Sequence, residues 1–139
     1  MGELPDEIAK AAERAVRMAA DRGGAPLDYS EASISLVEEI VAEAAGYQLS
    51  QAQRRTLAED FGSYVLEVAR RTYGGRYVWY QDREPVLMVG DEESHVAIAT
   101  WAKVGGRLSG DEADNIPFFY EGFAQRVKAG SPGKPVLYV

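Results

Sequence analysis

The chain has 139 residues, 46% hydrophobic and 27% charged, with 14 Gly and 6 Pro scattered along it. This excludes a disordered, collagen-like or low-complexity protein and fits a single domain over residues 1–139. No cysteine and one histidine remove a disulfide framework, a thiolate nucleophile and a multi-histidine centre, so no metal or cofactor is expected. The net charge of −7 has the wrong sign for a surface that tracks phosphates, so no nucleic-acid partner is expected.

The opening MGELPDEIAK lacks the basic start and apolar run of a signal peptide. No apolar stretch approaches the roughly 20 residues of a membrane span, so a cytoplasmic protein without a membrane partner is expected. A first helix begins near Pro5 and runs through Ile8, Ala12, Ala15, Met18 and Ala19 to Gly23-Gly24. Its mostly alanine face buries little area per residue, which predicts that residues 1–24 form a peripheral helix.

A second helix, capped by Ser30, places Leu36, Val37, Ile40, Val41 and Ala44 on one face and ends at Gly46. Residues 23–53 contain no Lys or Arg but hold Asp28, Glu31, Glu38, Glu39 and Glu43, and a helical wheel puts the four glutamates together on the far side. An exposed acidic face is therefore expected. The third helix opens with a capping box at Ser50-Gln51-Ala52-Gln53 and has an apolar arc wider than half its circumference, which marks it as central. Gly62 in its middle implies close packing against a backbone or a ring, and the leftover strip holds Asp60, Glu67 and Arg71, the last two at ion-pair spacing.

Beyond Gly74-Gly75 the period changes to that of strands. Residues 76–80 and 85–89 read as a hairpin, 95–99 as a third strand, 101–108 and 117–129 as two helices, and 131–139 as an extended tail. The expectation is α+β: N-terminal helices on a small antiparallel three-stranded meander, then two further helices and the tail.

His95, beside Glu92 and Glu93, is the only side chain that titrates near neutrality unperturbed, and a surface ion pair explains it better than a catalytic base. Tyr77, Trp79 and Tyr80 gather aromatic area at the start of the sheet and are candidates to line a pocket, against the simpler reading of a half-buried core edge. No Ser-His-Asp or comparable constellation follows from spacing, so an enzyme is not the favoured reading.

From Leu27-Asp28-Tyr29-Ser30 onward, over about 100 residues, the chain resembles a group of small bacterial domains of unknown function. The more specific part is a G-x-Y-x-x-E-V-x-R helix followed by a glycine pair and an aromatic strand, here Gly62, Tyr64, Glu67, Val68, Arg70, Gly74, Gly75 and Tyr77 to Trp79. Leu66 stands where many members have glycine, and Tyr77 where many have tryptophan. The resemblance implies a fold more than an activity, and the site residues it points to are Glu67 and Arg70. The leading functional expectation is an interaction module whose acidic face binds a basic protein partner, as an immunity or inhibitor protein does. A small hydrolase or transferase with an aromatic-lined pocket, and a structural or oligomeric subunit, are the alternatives; the sequence leaves the oligomeric state open.

Overall fold

The computed structural model describes residues 3–130 and 133–139; Met1 and Gly2 of the expected first helix, and Ser131 and Pro132 of the expected tail, lie outside them. The order is α1 (Leu4–Arg22), a 3-10 turn (Glu31–Ser33), α2 (Ile34–Ala45), α3 (Gln51–Tyr73), β1 (Arg76–Tyr80), β2 (Glu84–Val89), β3 (Val96–Ile98), α4 (Trp101–Leu108), a second 3-10 turn (Glu112–Asp114), α5 (Ile116–Ala129) and β4 (Val136–Tyr138). The α+β class is as expected.

α3 is the spine of the molecule. The Ser50 side chain accepts from the Gln53 N–H and the Gln53 side chain accepts from the Ser50 N–H, which starts the helix as the capping-box pattern requires. Every residue from Asp60 to Ala69 is buried, so the helix is covered all round there. The expected polar strip is thus corrected: Asp60 and Glu67 are each 1% exposed.

α1 is the second correction. Ile8, Ala12, Ala15 and Ala19 are at most 2% exposed and belong to the main core. Small side chains let α1 lie close against α3, and that close approach, not area per residue, is what buries the helix. It is a wall of the core and not a peripheral element.

The sheet has four strands in the order β1-β2-β3-β4, not three. β1, β2 and β3 form the expected antiparallel meander; Gln81 and Asp82 both take positive φ in the first turn, as a tight hairpin requires. The tail then returns through α4 and α5 to pair β4 in parallel with β3, making the sheet mixed. Tyr77, Leu87, Ile98 and Tyr138 align in register across all four strands and turn one face of the sheet onto the core.

Candidate functional site

The acidic stretch folds differently from its helical wheel. Asp28 accepts from the Ser30 N–H and hydroxyl, at 3.0 and 2.6 Å, and these bonds hold its carboxyl below the usual range. Ser30 then heads a 3-10 turn instead of α2 itself, which rotates Glu31 out of phase with the glutamates that follow. Glu31 Oε2 accepts from the Tyr73 hydroxyl at 2.9 Å and the Tyr120 hydroxyl at 2.7 Å. Burial, then the Glu31 carboxylate, pushes Tyr73 up to about 12 and raises Tyr120 also.

Glu38 is likewise internal, its side chain 16% exposed, accepting from Arg107 Nε at 2.7 Å and from the Ile116 N–H at 3.2 Å. Glu43 is paired with Arg22 at 2.6 Å. Of the four glutamates only Glu39 lacks an ion pair or hydrogen bond among the described residues. The uniform acidic face is therefore corrected to two exposed carboxylates, Glu39 and Glu43. Tyr120, Arg107 and Ile116 come from 69 to 89 residues away, beyond the reach of a local wheel.

The residues of the G-x-Y-x-x-E-V-x-R stretch contact the protein's own interior. Gly62 lies under Trp101: a Cβ there would stand 2.7 Å from Trp101 Cδ1 and 3.1 Å from its Cα. The Tyr64 hydroxyl accepts from the Tyr29 N–H at 2.8 Å and lies 2.6 Å from the Ser33 hydroxyl, while its ring meets Tyr29 at 4.9 Å. Tyr29 holds a positive φ of 65° and carries the Arg71 guanidinium 3.5 Å above its ring. The L-D-Y-S turn and the α3 stretch are thus two halves of one contact.

Glu67 accepts from Arg70 Nε and Nη2 at 2.8 and 3.1 Å and from the Tyr77 hydroxyl at 2.6 Å, with Arg71 at 3.5 Å. Burial pushes its carboxyl up, but the donors and the two guanidinium groups outweigh burial and hold it below the usual range. The same bonds raise Arg70, and burial followed by the Glu67 bond raises Tyr77. A carboxylate this fully engaged and 1% exposed has a positioning role, tying β1 to α3.

Of the aromatic candidates, Tyr77 is spent on Glu67 and Tyr80 lines none of the described hollows. Trp79 does. It is 50% exposed and meets Trp101 edge to face at 6.1 Å, and the two indoles with Leu4, Glu7, Ile8, Lys10, Ala11, Arg14 and Glu59 line a cleft of about 270 Å³ between α1, α3 and β1. Trp101 is fixed there by its Nε1–H, which donates to Ser63 Oγ at 3.0 Å. Arg14, on the cleft wall, donates to Asp60 Oδ1 at 3.1 Å; Asp60 Oδ2 is buried with no partner among the described residues. Burial dominates over Arg14 and raises the Asp60 carboxyl.

His95 is half-buried at the entry to β3 and lines none of these hollows, so the structure does not bring it to the aromatic residues. Its carbonyl accepts the Val136 N–H that starts β4. Among the described residues no three acids or histidines converge as metal ligands. Sequence reasoning did not single out Arg14, which lines this cleft, or the burial of its partner Asp60. The available signal was the i, i+3, i+7 spacing of Asp60, Ser63 and Glu67, which puts three polar groups on one face of a central helix. Among the described residues no helix is long and apolar enough to cross a membrane. No family model matches the chain, and neither a curated protein nor a solved structure matches it.

Proposed function

We propose that this protein is an interaction module that binds a basic polypeptide, with Trp79 as the anchor residue and the cleft between Trp79 and Trp101 as the recognition surface. The observation that carries the reading is a large indole left half exposed beside a formed cleft whose second wall is also tryptophan. Tryptophan in a partly walled site supplies much binding area for little ordering cost, and such residues dominate interface energetics. The charge of −7, with Glu39 and Glu43 exposed, favours a cationic partner and speeds encounter more than it tightens the complex. An immunity or inhibitor protein held against a cationic target is one form of such a module. The hydrolase or transferase alternative rested on His95 or Glu67 as its polar group, and neither lines the cleft.

The test compares immobilised parent chain, Trp79→Ala and the double variant Glu39→Gln/Glu43→Gln as baits for host proteins at low and high salt. The parent is expected to retain a basic polypeptide at low salt and less at high salt. Trp79→Ala is expected to release it, and the double variant to bind it with slower association. Undiminished retention by Trp79→Ala would contradict the anchor, and no basic polypeptide on the parent would contradict the module.

A further inference from the structure

The ends of α1, α2 and α4 meet α3 around a second cavity of about 180 Å³, which shares no lining residue with the tryptophan cleft. Its walls are Met18, Ile40, Ala44, Leu57, Phe61 and Leu108, of which Ile40, Phe61 and Leu108 are buried and form the floor. A cavity of about 150 Å³ with walls of this kind takes up a single benzene ring. One aromatic ring, or a branched aliphatic group of that size, is therefore what the space admits.

The rim is polar. Arg22 and Glu43, with side chains 35% and 48% exposed, pair across it, and the exposed Tyr47 ring stands beside them. Arg22 directs both Nε, at 3.1 Å, and Nη2, at 2.6 Å, to the same Glu43 oxygen, so Nη1 has no partner among the described residues. Glu43 balances the guanidinium charge from one edge, and the uncommitted edge leaves an N–H donor at the mouth of an apolar hole, placed to hold an anionic head on an apolar body.

We infer that this cavity is a binding site for a small carboxylic acid carrying one aromatic ring or a short branched chain, with the ring on Phe61 and Leu108 and the carboxylate on Arg22 Nη1. Met18 supplies adaptability to the wall, since its side chain repacks at little cost. The inference is independent of the partner bound at Trp79.

Phenylacetate and toluene are titrated by NMR into the parent, Ala44→Leu, which fills the cavity, and Arg22→Gln, which removes the cation. The parent is expected to bind phenylacetate with one-to-one saturation. Ala44→Leu weakens both probes at least about tenfold, and Arg22→Gln weakens phenylacetate by a similar factor and leaves toluene unchanged. Leu57→Phe replaces Ala44→Leu as the filling variant if the latter fails to give a cooperative thermal transition. No saturable phenylacetate binding up to about 10 mM, a far weaker affinity than a built site gives, would overturn the site. Binding that survives the filling variant would overturn its location, and equal affinity in Arg22→Gln would overturn the carboxylate.

Discussion

Asp60 and Glu67 stand two helical turns apart on α3, each 1% exposed, and burial, which raises both carboxyls, is outweighed only at Glu67. Glu67 is surrounded by donors from Arg70 and Tyr77 and by the Arg71 charge, and its carboxyl is held low. Asp60 has Arg14 on one oxygen and no partner on the other among the described residues, and its carboxyl is raised, by burial above all, with Glu59 adding repulsion. The linkage signs follow. A lowered folded value gives Glu67 a stabilising contribution that is present above its unfolded value, near 4.3, and is lost as pH falls through the folded value. A raised value gives Asp60 the reverse: stability is gained as pH falls through its folded value and is complete below the unfolded one, near 3.9. Urea unfolding from pH 7 to pH 3 is expected to show the parent losing stability relative to Glu67→Gln and gaining it relative to Asp60→Asn. At pH 7 Glu67→Gln should cost about 1–3 kcal/mol. Two difference curves sloping the same way would contradict the assignment.

The α3–α4 crossing is a close approach specified by particular residues. Gly62 takes the Trp101 ring and backbone against its own backbone, and the Thr100 hydroxyl donates to the Gly62 carbonyl at 2.6 Å. Gly62→Ala adds helix propensity worth about 1 kcal/mol but places a methyl within 2.7 Å of Trp101 Cδ1, so overpacking should prevail. Thermal unfolding is expected to show a net loss of about 1–2 kcal/mol; a raised Tm would show that the crossing yields freely. This close approach was legible in the sequence, because a glycine inside a long amphipathic helix needs a reason. So were the Ser50–Gln53 capping box and the β1–β2 hairpin, whose signals are local. β4 was not legible as a parallel strand, since three residues after Pro135 carry no period of their own and acquire a strand only by pairing with β3. The burial of α1 was hidden for a related reason. An alanine face reads as weak until the helix it lies against is known.

At the scale of the whole molecule, the sequence showed where the acid is concentrated but not which carboxylates reach solvent. Glu31 and Glu38 serve as internal acceptors joining the start of the α2 region to α3, α4 and α5, and Glu39 and Glu43 remain outside. Trp79 was legible as a candidate from strand alternation, but its pairing with Trp101, 22 residues later, depends on how the sheet and α4 are folded together. On the proposed function, a negative molecule with one half-exposed indole should meet a basic partner quickly and hold it at that indole. The chain's two tryptophans both lie in the cleft, so 5-fluorotryptophan labelling gives two ¹⁹F resonances, assigned with Trp79→Phe, that an unlabelled partner cannot obscure. Addition of the retained basic polypeptide is expected to shift the Trp79 resonance in proportion to complex formed, in the parent and in Glu39→Gln/Glu43→Gln alike. A Trp79 resonance that stays in place at saturation would contradict the account.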